Sequence, residues 1–341
     1  MAVTRSSRLA GWLAAAGTAA ARVVLAAVGA LAVAALPASA QTTLTIQHPL
    51  PLNSHYGAGA SAFKDAFERL TDGRYRVVVQ RNDNEREMME SLQIGTLDFS
   101  VSSTGPVGNF VPESKNLDVP FLFRDTAHAR GVLDGDIGNE ILAAFERRGL
   151  TGVIWLENGF RHLTNSRRPV VTPDDIKGLK IRTMENQVHM RAFETLGALP
   201  TPMTFSEIIT ALQQGTVDGQ ENPITVIVSN NLDQVQKYLS LTGHVYSPAV
   251  LVAAPATVAR FSAADRAAMI EAARAAQTAN RDRVSADEAT GVAELRRRGM
   301  SVVTDIDRAK FEAALAPAYA VYAKELDGNL IARIRAAAPS Q

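Results

Sequence analysis

The chain has 341 residues, 46% of them hydrophobic and only 6% aromatic, with 35 Lys plus Arg against 35 Asp plus Glu and no cysteine. A chain of that length buries a large core and tends to divide in two, and this composition excludes both disorder and a collagen-like fibre. Without cysteine there is no disulfide scaffold, no thiolate metal site, no cysteine nucleophile and no acylated lipoprotein anchor.

The neutral total conceals an uneven distribution. The first forty residues hold Arg5, Arg8 and Arg22 and no acid, so the remainder carries 32 bases (35 less three) against 35 acids, a net charge of −3. A mildly acidic body has no global attraction for nucleic acid or anionic lipid, so neither is expected as a partner. The arginines precede an uncharged apolar run, Val23 to Leu36, and Ala38-Ser39-Ala40 supplies a small-x-small cleavage pattern. This predicts a cleaved secretory signal peptide over residues 1–40, with the mature protein beginning near Gln41. An uncleaved anchor would need roughly 20 apolar residues, and Arg22 interrupts the run before that length. The expected compartment is the periplasm, which holds no pool of ATP or nicotinamide.

Strands alternate with helices along the chain, the pattern of βαβ units and a largely parallel sheet flanked by helices. Leu44 to His48 reads as a strand, and Phe63, Ala66, Phe67 and Leu70 follow at helical spacing, with Gly73 as a stop. Tyr75 to Gln80 is a second strand, Glu85 to Ile94 a helix closed by Gly95, and Thr96 to Ser102 a third strand. Ile137 to Arg148 reads as helix and Gly152 to Leu156 as strand. A second set of units begins after Arg161: strand Leu179 to Thr183, helix Gln187 to Leu196, then a helix opened at Thr204 by a capping box with Glu207 and ended at Gly215. Val217 starts a strand into Gly219-Gln220-Glu221-Asn222-Pro223. Ala263 to Arg298 is one long helical stretch, followed by strand-like Met300 to Thr304 and a helix from Ala309 to about Leu326.

The expected fold class is α/β, with two lobes and a ligand cleft at the carboxyl ends of the strands. The boundaries are residues 41–160 with 248–288 for the first lobe and 161–247 with 289–341 for the second. Crossover strands near Arg161 and Tyr246 would join them.

Catalytic motifs are missing. There is no G-x-S-x-G elbow, H-E-x-x-H helix, P-loop or G-x-G-x-x-G fingerprint, and the six histidines never fall at metal-ligand spacing beside an acid. No cofactor or metal is expected, and binding is favoured over catalysis. A periplasmic enzyme on the same fold is the alternative.

What remains is a set of arginine and amide positions near strand ends. Arg182 closes the strand Lys180-Ile181-Arg182-Thr183, where a planar fork of donors suits a carboxylate; an ordinary surface arginine is the competing reading. Arg161 follows Asn158-Gly159-Phe160 at the junction of the two sets of units, as a ligand contact or as half of a hinge salt bridge. Asn222 precedes Pro223, as a ligand amide or a turn former.

Four ordered stretches then carry a resemblance: Asn158-Gly159-Phe160-Arg161; Asp174-Asp175-Ile176-Lys177-Gly178-Leu179-Lys180-Ile181-Arg182; Pro200-Thr201-Pro202-Met203-Thr204-Phe205-Ser206-Glu207; and Gln213-Gln214-Gly215-Thr216-Val217-Asp218-Gly219-Gln220-Glu221-Asn222-Pro223. With Gly95-Thr96-Leu97-Asp98 and Val119-Pro120-Phe121-Leu122-Phe123, the chain resembles the DctP-type substrate-binding protein of tripartite ATP-independent periplasmic (TRAP) transporters over most of its mature length. The resemblance implies a two-lobed binding protein whose Arg182 clamps a substrate carboxylate. Arg161 and Asn222 match further ligand contacts, and Phe205 matches an aromatic packed on the ligand. It also implies delivery to a membrane permease of small and large subunits driven by an ion gradient. The binding protein itself is expected to be a monomer and not an enzyme.

Where sialic-acid members of that family carry an acid after the third strand, this chain has Ser103 and then Thr104. Polar His48, Asn53, Glu85, Ser103 and Thr104 near strand ends suggest a ligand with several hydroxyls, such as a uronate or aldonate. His48 reads equally as a loop cap and Glu85 as a helix N-terminal charge. For a short C4 or branched hydroxy or keto acid, Met184, Phe160 and Phe205 would instead provide apolar walls.

Overall fold

The structure is a computed structural model that describes residues 41–338, so the signal peptide expected over residues 1–40 lies outside the described residues. The first third of the chain builds β1 (Thr42–His48), α1 (His55–Leu70), β2 (Tyr75–Arg81), α2 (Glu85–Ile94), β3 (Phe99–Ser103) and α3 (Thr104–Val107). Two helices, α4 (Thr126–Asp134) and α5 (Asp136–Ala144), lead to the long strand β4 (Thr151–Asn165). Then come α6 (Pro173–Ile176), β5 (Lys180–Thr183), α7 (Gln187–Thr195), β6 (Leu199–Pro202), α8 (Ile208–Gln213), β7 (Gly219–Pro223), α9 (Ile224–Ser229) and the second long strand, β8 (Tyr238–Ala253). The chain closes with α10 (Pro255–Arg260), the 35-residue α11 (Ala263–Arg297), β9 (Ser301–Val303), α12 (Arg308–Ala314), α13 (Ala316–Glu325) and α14 (Gly328–Ala336).

Local chemistry accounts for the helix ends. Ser54 caps α1 by accepting from the Gly57 N–H, and Asn84 caps α2 by accepting from Glu87, with Glu85 and Glu87 in the first turn where the helix dipole favours acids. Gly95 ends α2 at φ 74°, a left-handed conformation that costs glycine nothing. The capping box of Thr204 and Glu207 is present, although its first turn is a 3₁₀ turn that only then passes into α8.

All nine strands form one sheet in the order β2-β1-β3-β8-β4-β7-β5-β6, with β9 beside β8. Pairing is parallel on both flanks, β2 with β1, β1 with β3, β7 with β5 and β5 with β6. The centre is antiparallel, because β8 runs against β3, β4 runs against β7, and β4 and β8 run against each other, while β9 lies parallel to β8. One apolar cluster, including Phe63, Phe67, Phe99 and Ala272, packs α1 and α11 on the β1–β3 flank, and a smaller one around Leu212, Ile227 and Leu295 serves the β7 side. The largest cluster runs continuously from Met88 and Phe123 to Phe193 and Tyr322 and so ties both flanks together.

The third strand begins at Phe99 and not Thr96, β6 and the full length of β8 were not expected, and further departures lie in β4, β7, α5 and the last helices. The strand expected over Gly152 to Leu156 continues to Asn165, so Arg161 sits inside a strand, and register shifts at Glu157/Gly159 and Arg161/Leu163 disguise its alternation. Asn222 lies in β7 opposite His162, not in a turn. The helix expected over Ile137 to Arg148 ends at Ala144 and becomes 3₁₀. Pro317, which cannot donate to the preceding turn, splits the last expected helix into α12 and α13, and α14 follows unanticipated.

Candidate functional site

The ends of β3, β5 and β7 and the starts of α1 and α2 converge on a small cavity. Arg182, Met184, Phe205 and Asn222 form one wall; Tyr56, Glu85, Ser103 and Asn158 form the other; Pro49, Leu50 and Val226 complete the lining. A neighbouring recess shares Glu85, Arg182, Met184 and Phe205 and leads past Glu185 and Thr204. Six of the eleven residues singled out from the sequence therefore line the cavity, while Arg161, His48, Asn53, Thr104 and Phe160 are outside its lining.

Arg182 is 2% exposed, and its Nε and Nη2 donate to the Met203 carbonyl at 3.1 and 2.6 Å. Nη1 is buried without a hydrogen-bond partner. The side edge of the guanidinium is thus held by backbone, and its end edge, with Nη1–H beside the second Nη2–H, is left for a two-oxygen acceptor. Burial lowers its pKa to about 10, offset by the nearby Glu221 carboxylate, so it stays cationic at neutral pH.

Arg161 is held differently. It is fully buried, its Nε meets Glu221 Oε2 at 2.5 Å, and its Nη2 meets Glu221 Oε1 at 2.8 Å and Asn222 Oδ1 at 3.3 Å. Burial would raise the Glu221 pKa, but Arg161 and His244, 3.1 Å away, hold it well below the ordinary carboxylate range. Asn222 also donates to Gln220 Oε1.

On the opposite wall, Glu85 at the first turn of α2 accepts the Ser103 backbone N–H at 3.0 Å and its hydroxyl at 3.5 Å. Burial raises its pKa to about 7, more than the Ser103 backbone bond and the two arginines lower it. Ser103 Oγ also lies 3.5 Å from the Met184 sulfur across the cavity, and a Cβ on Gly105 would fall 2.5 Å from the Met184 methyl. Thr104 donates to Asp118 at 2.6 Å, and Asn186 Nδ2 reaches the other Asp118 oxygen at 2.7 Å. His48 is buried edge-on to Tyr56, and burial lowers its pKa to about 4, so it is neutral at physiological pH.

Two wall residues were not singled out as ligand contacts from the sequence. Tyr56 stands in the first turn of α1, and its buried hydroxyl has no partner. Asn158 was visible only as part of a quoted motif; its position next to a register shift in β4 is what turns it to the cavity. Among the described residues, no group of three or more His, Cys, Asp or Glu side chains is placed to hold a metal ion, and no helix is long and apolar enough to cross a membrane.

A two-flanked α/β sheet with a small interior cavity, one arginine edge left open and hydroxyl-accepting groups facing it defines a binding protein for small organic acids. The chain belongs to the DctP family, bacterial extracellular solute-binding protein family 7, whose model matches residues 46–325, and so to the solute-binding components of TRAP transporters. It is 52% identical to a TRAP periplasmic solute-binding protein of Polaromonas sp. JS666 solved with D-erythronate, with a TM-score of 0.85 and coverage of 87% of this chain and 99% of that one. A Bordetella solute-binding protein with density assigned to pantoate is 51% identical, at the same TM-score and coverage. The 2,3-diketo-L-gulonate-binding periplasmic protein of Escherichia coli K12 is 39% identical over 75% of this chain and 79% of its own length.

Proposed function

We propose that the protein captures a short hydroxy acid in the periplasm and hands it to the small and large subunits of a TRAP permease. The observation that carries this reading is the open edge of Arg182: a buried, partnerless guanidinium nitrogen at a cavity wall is costly unless an anion meets it. A ligand carboxylate would take the Nη1 and Nη2 protons together, each such charge-assisted bond adding about 1.5–3 kcal/mol. Asn222 would complete the polar contact, with Phe205 and Met184 packed on the carbon chain. Arg161 also has a buried Nη1 without a partner, but it lies outside the cavity lining and its Nε and Nη2 are taken by Glu221, so it would act through Asn222 and through its positive field.

D-Erythronate and pantoate differ in substituents but share a skeleton: a four-carbon chain with a carboxylate and hydroxyls at C2 and C4. Our reading of the ligand is an acid of that skeleton, an aldonate or a branched analogue. Glu85 and Ser103 suit its hydroxyls, and Leu50, Val226 and Met184 suit a branched C3. A six-carbon sugar acid is the second reading, favoured by the likeness to the diketogulonate-binding protein. Transport binding without catalysis fits the cavity wall, where Glu85 is the one carboxyl and there is no histidine to pair with it as acid and base.

We further propose that residues 1–40 are removed on export, and that the mature monomer closes as two lobes, 41–160 with 248–288 against 161–247 with 289–341, about β4 and β8. Contacts between Asn109 and Glu185 and between Asn186 and Asp118 would then hold the closed state. A thermal-shift panel of D-erythronate, pantoate, galactonate, glucuronate and succinate tests the ligand class, since ligand at a hundred times Kd adds about 2.7 kcal/mol of stability. D-Erythronate or pantoate should give the largest shift. A panel in which only succinate, or no acid at all, stabilises the protein overturns the reading.

A further inference from the structure

We infer that Asn158 turns its side-chain carbonyl oxygen, not its amide N–H, into the cavity, so that this point of the wall accepts a ligand hydroxyl and rejects a second carboxylate. The inference rests on the small-acid reading above for its ligand, but its structural half stands on a chain of protons behind the wall.

His55, the first residue of α1, is fully buried, with Nδ1 3.0 Å from the Thr225 hydroxyl and Nε2 3.0 Å from the Asn158 side-chain amide. The Thr225 oxygen also lies 2.6 Å from Asp287 Oδ2, and Asp287 Oδ1 takes the Arg283 Nε–H at 2.8 Å. A carboxylate paired with arginine accepts only, so the single Thr225 proton must point at Asp287; otherwise two oxygens would face each other at 2.6 Å with no proton between them. The Thr225–His55 gap then has one source of a proton, His55 Nδ1–H. Burial holds His55 neutral, its pKa lowered to about 3, so Nε2 carries a lone pair. A lone pair can be met only by a donor, which makes the Asn158 atom facing it the NH₂ group. The structure draws Oδ1 at that contact; a half-turn of the amide exchanges the two atoms without moving any other, and the proton count selects the turned form.

The Asn158 side chain has no other hydrogen bond to oppose the turn, and the residue lines the cavity. Once turned, its oxygen joins Glu85 as an acceptor on the wall opposite Arg182. A hydroxyl donates to such a wall, whereas a carboxylate brings only lone pairs and a second negative charge. His55 is thus a positioning residue: it never meets ligand, but its tautomer decides which atom Asn158 shows.

Two measurements test this. In the ligand-free protein, long-range ¹H–¹⁵N spectra of labelled histidine should show His55 protonated at Nδ1 and bare at Nε2; an Nε2–H tautomer or an imidazolium at neutral pH overturns the proton chain. Calorimetry on wild type and Asn158→Ala, using D-erythronate and its 2-, 3- and 4-deoxy analogues, supplies the ligand half. One hydroxyl should contribute tenfold or more in wild type and less than about twofold in the variant, with succinate no weaker in the variant than in wild type. Equal weakening of every acid, succinate included, would mean Asn158 donates to the carboxylate, and overturns the proposal. If D-erythronate and pantoate both fail to bind wild type, the ligand reading falls while the tautomer result still decides the orientation of Asn158. Should Asn158→Ala not fold, the wild-type spectra decide that orientation by themselves.

Discussion

The two walls of the cavity are built on opposite electrostatic plans. On the β5–β7 side the cation at the surface, Arg182, is fixed by a backbone carbonyl, and Arg161 of β4 stands behind it, fixed by a buried carboxylate. On the α1–α2–β3 side, neutral or proton-holding groups face inward: Tyr56, Ser103, Asn158 and a Glu85 carboxyl held near neutral pH. Anchoring on the first wall is a matter of charge, so it suits any carboxylate. Discrimination has to come from the second, where unpaired donors or acceptors penalise the wrong ligand. The two arginines sharpen the contrast further, since they share a charge, yet Arg182 lines the cavity while Arg161 lies behind it on a buried carboxylate.

The largest effect expected from this difference is on Arg182. Arg182→Ala should abolish detectable acid binding, a loss on the order of a thousandfold or more, with the fold intact, because the side chain supports nothing but the Met203 carbonyl. Arg182→Lys should bind almost as poorly, since an ammonium offers a point charge where the open edge offers a fork. Isothermal calorimetry reads both. A lysine variant within about threefold of wild type would break the assignment of the open edge to the carboxylate.

Arg161 should answer in stability instead. Removing one partner of a buried ion pair leaves an uncompensated charge, at a cost of about 3–5 kcal/mol. Arg161→Ala should therefore lower the melting temperature by several degrees, and the double variant Arg161→Met with Glu221→Leu should recover most of it. Calorimetric melting checks this; a single variant as stable as wild type would put Arg161 on the same footing as Arg182 and dissolve the contrast.

The same contrast explains which parts were legible in the sequence. The helices α1, α2 and α7 were readable because each carries its own cap and its own apolar stripe, and capping needs only residues three apart. β4 and β8 were not. Their residues pair over separations of about a hundred positions, and the register shifts that turn Asn158 and Arg161 to their places destroy the alternation by which strands are recognised. The cation wall was legible because Arg182, Asn222 and Phe205 fall in motifs of local sequence. The hydroxyl-reading wall was only half visible: Glu85 and Ser103 showed as polar residues near strand ends, but no local pattern marks Tyr56 in the first turn of α1. The Asn158 orientation depends on His55, Thr225 and Asp287, which no local pattern connects.

Glu85 supplies a pH test of the second wall. Its carboxyl titrates at about 7 in the folded protein against 4.5 in an exposed reference, so between those values the folded state holds the extra proton. Stability contributed by this group is therefore present at low pH and lost as pH rises through 7. Asp118 and Glu288, also raised by burial to about 7, act in the same direction. Buried His48, with its pKa lowered to about 4, and His55, His162 and His189, lowered to about 3, act in the opposite direction below about pH 6.5. The test is therefore a difference: in denaturation of the ligand-free protein between about pH 5 and 7, the slope of stability against pH for Glu85→Gln should differ from that of wild type by about one proton. An unchanged slope would place Glu85 in water and remove it from the wall.

The smallest effect belongs to the seam between the walls. Gly105 lies in α3 at a helical conformation, where alanine is intrinsically preferred by about 1 kcal/mol, so on local grounds Gly105→Ala should stabilise. Its new Cβ would lie 2.5 Å from the Met184 methyl and 2.8 Å from the sulfur, contacts too close to persist. Methionine is unbranched and can swing away at little cost, so the fold should not suffer. The displaced side chain has to leave its present contact with Ser103 at the cavity lining, which disturbs the apolar packing on the ligand while leaving Arg182 and Asn158 unchanged. The expected result is an unchanged or slightly higher melting temperature with affinity lowered about three- to tenfold, equally for hydroxylated and deoxy acids. A loss confined to hydroxylated acids would mean that Met184 and Ser103 act with Asn158 in reading the hydroxyls, and that the two walls are less separate than their chemistry makes them.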